Sequence, residues 1–204
     1  MSNRTAETLR KSKETEIRAA LNVDGSGQSK VKTNIGLLDH MLDLFAFHGL
    51  FDLDLDVQKA DLEIDIHHTN EDIGIVLGKT FKKALAEKEG IKRFGFAAAP
   101  MEATVGKCII DISGRGYFKL NMPDDAPPAN ETQDGYAFTY VEHFLESFAH
   151  NIGATISVSI ENMSDDLHTN LESIFKAFGL ALDQATQIDP RRNGTVPSTK
   201  GIID

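Results

Sequence analysis

The stretch DHMLDLFAFHG at residues 39–49 is similar in sequence to the stretch EHFLESFAHNIG at residues 142–153. Both copies begin with an acidic residue followed by histidine, and both end at a glycine. Each copy is followed by a segment of alternating apolar and polar residues and then by a long helical pattern that opens with a histidine. This shared order indicates an internal duplication. The sequence therefore predicts an α+β fold of two tandem half-domains, residues 1–95 and 96–204 of one compact unit, each a mostly antiparallel sheet with two helices packed on one face.

Hydrophobic periodicity predicts the elements of each half. Apolar residues three and four positions apart indicate helices, and strict alternation of apolar and polar residues indicates strands. Gly49 and Gly90 are expected to end the first two helices, because glycine commonly follows the last helical residue. The predicted helices are residues 36–48, 68–88, 138–150 and 168–186, and the predicted strands are residues 15–24, 51–57, 61–66, 103–112, 116–121 and 154–160, with a loop at 122–135 and an extended tail from residue 189.

The composition is that of an acidic globular protein. Its 204 residues carry 21 basic and 31 acidic side chains, which gives a formal net charge of −10. This charge argues against a general nucleic-acid-binding protein, since such a protein needs a basic face. The single cysteine, Cys108, excludes an internal disulfide and a cysteine-rich zinc site, and we expect it to be a buried thiol on a strand. No segment reaches the ~18 apolar residues of a membrane span, and the polar first 16 residues lack the apolar core of a signal peptide, so we expect a cytoplasmic protein without a membrane partner.

Two pairs of histidine and glutamate predict a metal site. His67 precedes Glu71 by four residues, and His168 precedes Glu172 by the same spacing. Residues four apart share one face of a helix, and an imidazole with a carboxylate suits manganese, iron, cobalt or zinc better than calcium or magnesium. One such pair occurs often by chance, but two related by an internal repeat are a stronger indication. The histidines at equivalent places on the two earlier helices, which could complete the pairs, are His40 and His143.

Basic residues in glycine-rich contexts form a second group. Arg93 follows the first long helix, and Arg115 lies between two glycines that let the backbone approach a ligand closely. The segment PSTKG at residues 197–201 offers a hydroxyl, backbone donors and an ammonium group. Each feature alone is more often a solvated charge. In an acidic protein, their position in loops favours a phosphate-binding site.

These motifs together resemble the imidazoleglycerol-phosphate dehydratase family, over nearly the whole chain from Arg4 to Ile203. The resemblance implies a two-manganese enzyme that removes water from imidazole glycerol phosphate to give imidazole acetol phosphate in histidine biosynthesis. It also implies a homo-oligomer of 24 subunits with metal sites completed between subunits. The matching stretches include IGLLDHML (35–42), DIHHTNED (65–72), IKRFG (91–95), DISGRGY (111–117), EHF (142–144), ESIFKAFG (172–179) and PSTKG (197–201).

The resemblance also implies a set of functional residues. Glu14 and His48 are the candidates for proton transfer, and the metal-bound carboxylates of Glu71 and Glu172 compete for that role. The implied metal ligands are His40, His67, His68, Glu71, His143, His168 and Glu172. The implied substrate contacts are Glu14, His40, His48, His67, Arg93, Arg115, His168, Lys176, Ser198, Thr199 and Lys200, of which Arg93, Arg115, Ser198 and Lys200 hold the phosphate.

The sequence departs from the family pattern in its second half. The second long helix of the family opens with two histidines, whereas here His168 is followed by Thr169. One metal ligand is thereby lost, so we expect one of the two Mn²⁺ ions to bind more weakly. This departure keeps a second hypothesis open, a catalytically weakened relative that binds metal or a phosphorylated imidazole without turnover. A third hypothesis is a purely structural oligomer.

Overall fold

A computed structural model describes residues 4–124, 126, 128–133 and 135–203. The first half contains β1 (Thr5–Lys11), β2 (Glu16–Asn22), β3 (Ser29–Lys32), α1 (Gly36–Gly49), β4 (Asp52–Lys59) and α2 (Ile66–Leu85). The second half contains β5 (Phe94–Met101), β6 (Thr104–Asp111), β7 (Tyr117–Asn121), α3 (Phe138–Ile152), β8 (Thr155–Glu161) and α4 (Leu167–Thr186), followed by a short 3₁₀ helix at Pro190–Arg192.

The two sheets have the same topology. Their strand orders are β1-β2-β4-β3 and β5-β6-β8-β7. In each sheet two strand pairs are antiparallel and the last pair is parallel. This identity of order confirms the predicted α+β fold with two tandem halves. The second sheet begins with β5 at Phe94, and the division of the chain at residues 95 and 96 stays a prediction.

The helices of the two halves pack across each other. Helix α1 lies against α4, and α2 lies against α3, while each helix also contacts the sheet of its own half. The four helices thus form a layer between the two sheets. To the centre of this layer each helix contributes at least one phenylalanine that is at most 1% exposed. Ring centroids lie 4.7 Å apart for Phe45 and Phe178, 5.1 Å for Phe148 and Phe178, and 5.5 Å for Phe81 and Phe148.

Glycines allow these helices to approach closely. A Cβ atom on Gly78 would lie 2.6 Å from the carbonyl oxygen of Phe148, and one on Gly179 would lie 2.5 Å from the carbonyl oxygen of Phe45. Real Cβ atoms essentially never come so close to a backbone oxygen. The side-chain-free surface is therefore what brings α2 onto α3 and α4 onto α1, and with them the histidines those helices carry.

Three sequence predictions, one strand and two helix ends, are wrong. Residues 61–66, predicted as a strand, form a turn that leads into α2, and this turn bonds to the helix through the Asp61 N–H and Thr69 Oγ1 at 2.9 Å. Gly49 is the last residue of α1, and Leu50, with φ of 55°, is the left-handed residue that ends the helix. A Cβ on Gly49 would lie 2.3 Å from the Phe51 ring, so packing explains this glycine. Helix α2 ends at Leu85, before Gly90.

Other features agree in part with the sequence analysis. Cys108 is a buried thiol on β6, as predicted. The tail from Asp189 is not wholly extended, because the 3₁₀ helix begins directly after that residue. Residues 125, 127 and 134 of the predicted loop lie outside the described residues. Among the residues that are described, no helix combines the length and apolar character required to cross a bilayer.

Candidate metal centre and active site

Helices α1 and α4 bring three potential metal ligands together, which we call the α1/α4 cluster. His40 comes from α1, and His168 and Glu172 come from α4. The Nε2 atoms of His40 and His168 lie 3.1 and 3.0 Å from the same Glu172 oxygen, Oε1. The two imidazole rings are stacked with centroids 5.0 Å apart. Two imidazoles and a carboxylate therefore converge on one point.

The carboxylate of the α1/α4 cluster is held in its ionised form. Its second oxygen, Oε2, accepts a hydrogen bond from Lys176 Nζ at 2.5 Å, one helical turn further along α4. Burial acts to raise the pKa of Glu172, but the hydrogen bonds from Lys176, His40 and His168 outweigh burial and lower the pKa from 4.5 to about 2. An ionised carboxylate with one oxygen directed at two imidazoles is ready to bind a cation.

Helices α2 and α3 form the equivalent group, the α2/α3 cluster. His67 and Glu71 lie one turn apart on α2, with His67 Nε2 3.6 Å from Glu71 Oε2. His143 of α3 packs its ring perpendicular to that of His67, with centroids 4.3 Å apart. Among the described residues, Nδ1 of His143 is buried and has no hydrogen-bond partner. A buried imidazole nitrogen without a partner is costly, and a metal ion would remove that cost.

The two clusters are related by the internal repeat but cross between halves. His40, from the first half, joins the pair of the second half, and His143, from the second half, joins the pair of the first. This crossing follows from the packing of α1 on α4 and of α2 on α3. Both donor sets consist of two imidazoles and one carboxylate, a mixture that suits manganese, iron, cobalt and zinc. In the α1/α4 cluster, one donor atom of each residue lies within 4.8 Å of the other two, so these residues fit a transition-metal ion. The α2/α3 cluster has the same residue types, but among the described residues its three donor atoms do not converge to that extent.

The residues that follow the first histidine of each long helix lie apart from these clusters. His68 is exposed, and its Nδ1 atom lies 3.0 Å from Asp61 Oδ2. The hydrogen bond to Asp61 raises the pKa of His68. Glu14 lies close by, since one donor atom each of Glu14, Asp61 and His68 fall within 4.8 Å of one another. Thr169 instead donates its hydroxyl to Asp166 Oδ2 at 2.9 Å.

His48 lies at the edge of the α1/α4 cluster. It is in the last turn of α1, where burial and the positive charge of Lys176 lower its pKa, while Glu172 acts in the opposite direction. The lowered pKa favours the neutral form of the His48 imidazole. The other proposed proton-transfer residue, Glu14, lies beside His68 and not beside His48.

The predicted phosphate contacts are only partly brought together. Arg93 lines a surface cleft with Ser198 and Thr199, and its guanidinium donates to the Pro197 carbonyl at 3.0 Å. Arg93 also forms two hydrogen bonds with Asp111, at 2.6 and 3.0 Å, which partly neutralise its charge. The structure does not place Arg115 or Lys200 among the residues that line this cleft.

Sequence reasoning missed two contacts, that of Asp61 with His68 and that of Met101 with Lys176. The Asp61 carboxylate bonds to His68, seven residues away, and no helical spacing links the two. Met101 Sδ lies 3.4 Å from Lys176 Nζ, a contact between β5 and α4 that only the three-dimensional packing creates. No spacing or motif in the sequence marks either contact.

Comparison with known proteins identifies the family of this chain. The sequence model described as imidazoleglycerol-phosphate dehydratase matches residues 33–182. An imidazoleglycerol-phosphate dehydratase of a Thermoanaerobacter species is 48% identical over 200 residues, which cover 98% of this chain and 100% of that protein. The chain belongs to the imidazoleglycerol-phosphate dehydratase family. The resemblance seen in the sequence is thus confirmed.

Further members of the imidazoleglycerol-phosphate dehydratase family agree in length and fold. The enzyme of Geobacter metallireducens is 45% identical and covers 98% of this chain and 100% of its own length. The crystal structure of the Staphylococcus aureus enzyme is 30% identical, has a TM-score of 0.77 and covers 91% of this chain and 99% of that chain. The crystal structure of the Pyrococcus furiosus enzyme is 32% identical, has a TM-score of 0.76 and covers 96% of this chain and 99% of that chain. The α1/α4 and α2/α3 clusters both lie inside the region that the family model matches.

Proposed function

We propose that this protein catalyses the dehydration of imidazole glycerol phosphate to imidazole acetol phosphate, in histidine biosynthesis, with manganese as its metal. The observation that carries this proposal is the pair of repeat-related clusters, each with two imidazoles and one carboxylate, in a member of the imidazoleglycerol-phosphate dehydratase family. Such an enzyme is a metal-dependent carbon–oxygen lyase. The cytoplasmic location expected from the sequence stays a prediction.

The reaction explains why two metal-binding clusters are needed. The proton that is lost is not adjacent to a carbonyl group, so the imidazole ring of the substrate has to accept the electron pair. Metal ions bound to the chain would act as Lewis acids and stabilise the negative charge that develops on the imidazole ring. The α1/α4 cluster would hold one ion through His40, His168 and Glu172. The α2/α3 cluster would hold the other through His67, Glu71 and His143.

The remaining residues would bind the substrate and move protons. We assign phosphate binding to basic and hydroxyl groups, because they neutralise charge and donate hydrogen bonds. Glu14 and His48 are the candidates for removing the carbon-bound proton and for protonating the departing hydroxyl, with Glu71 and Glu172 as alternatives. The assigned phosphate contacts are Arg93, Arg115, Ser198 and Lys200, and Lys176 and Thr199 are further substrate contacts.

We also propose that the active enzyme is a homo-oligomer, of 24 subunits on the basis of the resemblance. Glu14 and His68 lie at the surface of the chain, apart from both metal clusters, where they can contribute to the site of a neighbouring subunit. Apolar side chains on the outer face of the second sheet also indicate an interface. Phe94, Phe96 and Ile109 are 57%, 58% and 54% exposed, and Phe96 pairs directly with Ile109 across β5 and β6. Such a contiguous apolar face is typical of a protein interface.

Thr169 supports a weaker second metal site and keeps the alternative function open. Its hydroxyl is engaged by Asp166, and a threonine offers no imidazole nitrogen. If the loss is large enough, the protein would bind metal or a phosphorylated imidazole without turnover. Measured product formation separates that alternative from the dehydratase.

Three histidine variants test the proposed function. His168→Ala and His67→Ala each remove one ligand from one cluster, and His150→Ala removes an exposed histidine of α3 that belongs to neither cluster. We expect the first two variants to lose bound Mn²⁺ and dehydration of imidazole glycerol phosphate, and His150→Ala to retain both. Full turnover and unchanged metal content in His168→Ala and His67→Ala would reject the assignment of the clusters.

A further inference from the structure

A carboxylate–imidazole pair lies just outside the two clusters. Asp61 Oδ2 is 3.0 Å from His68 Nδ1. The side chain of Asp61 is only 15% exposed, whereas that of His68 is 48% exposed. Among the described residues, Nε2 of His68 makes no hydrogen bond. The half-buried Asp61 therefore engages one ring nitrogen of His68 and leaves the other directed away from the pair.

Asp61 is itself fixed in place by the helix that carries His68. Its backbone N–H donates to Oγ1 of Thr69 at 2.9 Å, and Thr69 is fully buried at 0% exposure. Thr69 directly follows His68 in α2. The turn before α2 is thus bonded to the first turn of the helix, which holds the Asp61 carboxylate beside the imidazole. An accidental contact between two surface side chains would lack this support.

In the second half of the repeat, both members of the pair are replaced. Helix α2 begins at Ile66 and α4 at Leu167, so the position equivalent to His68 is Thr169. The position equivalent to Asp61, five residues before the helix, is Asn162. His67 and Glu71, by contrast, keep their counterparts in the second half. The half that lost the second histidine therefore also lacks the carboxylate.

We propose that Asp61 is a positioning residue for His68. The carboxylate accepts a hydrogen bond from the Nδ1–H group of His68, which fixes the tautomer and the ring orientation and leaves the lone pair of Nε2 free to bind a metal ion. Ligating histidines commonly donate their second N–H to a carboxylate in this way. The inference rests on the proposed function, because His68 acts as a metal ligand only if the protein binds metal.

Metal titration of four variants tests the role of Asp61. We expect Asp61→Ala to weaken Mn²⁺ binding to metal-stripped protein about 10- to 100-fold in one class of site, and Asp61→Asn, which keeps an acceptor oxygen, to recover part of that loss. Glu63→Gln removes a charge from the same turn at an exposed residue and should leave the affinity unchanged. In a His68→Ala background, Asp61→Ala should cause no further loss. An equal loss with and without His68, or no loss at all, would overturn the proposal.

The tautomer of His68 supplies a readout that does not depend on metal binding. Nitrogen NMR of histidine-labelled, metal-free protein at alkaline pH, assigned with His68→Ala, should show the proton on Nδ1 in the unmodified protein. In Asp61→Ala it should shift toward Nε2, and in Glu63→Gln it should stay on Nδ1. A proton on Nε2 in the unmodified protein would overturn the proposal even if the enzyme is active. Absence of Mn²⁺ binding with the expected tautomer would instead reject the proposed function.

Discussion

Thr169 distinguishes the two halves at the scale of single residues. The repeat places it where the first half has His68, and its hydroxyl bonds to Asp166, the residue just before α4. Asp166 also accepts a hydrogen bond from the backbone N–H of His168. Thr169 therefore helps to cap the helix that presents His168 and Glu172 but offers no ligand of its own. Outside the two clusters, the first half consequently offers one further imidazole, that of His68, which the second half lacks.

Restoring the missing imidazole should equalise the two metal sites. We expect the unmodified protein to bind Mn²⁺ in two classes of different affinity, and Thr169→His to tighten the weaker class by about tenfold or more, comparable with the loss of an outer partner of a ligand. Thr169→Ser keeps the hydroxyl and is the matched control. Calorimetric titration of metal-stripped protein measures both classes, and identical affinities in Thr169→His and Thr169→Ser would contradict the prediction.

At the scale of the elements, the two clusters depend on the close packing of α1 on α4 and of α2 on α3. In Gly78→Ala, the new methyl group would lie 2.6 Å from the Phe148 carbonyl oxygen and 2.8 Å from Asn151 Cβ. We expect the free energy of unfolding to fall by about 1–3 kcal/mol, although alanine favours a helix more than glycine does. Gly36→Ala, with nothing within 4 Å of the added Cβ, should not be destabilising. Urea unfolding measures both, and equal stability of the two variants would contradict the packing argument.

The contact between Asp52, the first residue of β4, and the turn before β3 makes stability depend on pH. Asp52 Oδ1 accepts hydrogen bonds from the backbone N–H groups of Ser26 at 2.8 Å and Gln28 at 3.1 Å. The bond from Ser26 is the main reason that the pKa of Asp52 lies below 3.8. The pKa of Asp52 is therefore lower in the folded state than in the unfolded state. The carboxylate stabilises the fold fully above pH 3.8, and this stabilisation is lost as the pH falls below 3.8 and through the lower pKa of the folded state.

Asp52→Asn should therefore lower the free energy of unfolding by about 1 kcal/mol at neutral pH, with a difference that shrinks below pH 3.8. Urea unfolding at a series of pH values measures this difference. Asp56→Asn, on the same strand, is the control and should show a smaller change. The mechanism would be refuted if the free energies of unfolding of Asp52→Asn and the unmodified protein differed by the same amount at neutral and at acid pH.

The helices were predictable from the sequence, whereas several strands were not. Helical spacing alone predicted all four α-helices to within a few residues at their ends. Strand β5 was missed because FGFAAAPM lacks clear alternation. A Cβ on its Gly95 would lie 1.9 Å from the Ala181 carbonyl oxygen of α4, so contact with the helix dictates this composition. The alternation of apolar and polar residues at 61–66 predicted a strand that does not exist, because a turn before a helix can also alternate apolar and polar residues.

The site shows the same limit at the scale of the whole molecule. The repeated spacing of His67 with Glu71 and of His168 with Glu172 was enough to predict two clusters. It could not show that His40 joins the pair of the other half, since that depends on which helices pack together. It also could not show that His68 faces Asp61 instead of the cluster beside it, because that direction depends on the turn before α2.

At the scale of the whole molecule, the exposed apolar side chains on the outer face of the second sheet predict that the chain assembles into an oligomer. Phe96→Glu would place a charge in the middle of the exposed apolar face formed by Phe94, Phe96 and Ile109. Because burying an unpaired charge is costly, we expect this variant to form smaller particles than the unmodified protein in light scattering coupled to size-exclusion chromatography. Lys82→Glu changes an exposed residue of α2 and should leave the particle size unchanged. Equal sizes for all three proteins would exclude this face from the interface.

The most direct test of the central claim is the turnover of imidazole glycerol phosphate by metal-stripped protein, with and without added Mn²⁺, together with the number of ions bound per chain. We predict no product without metal, product formation once Mn²⁺ is added, and two classes of bound ion of unequal affinity. Binding of the substrate without product at every Mn²⁺ concentration would contradict the dehydratase and leave a protein that binds a phosphorylated imidazole on the scaffold of an enzyme.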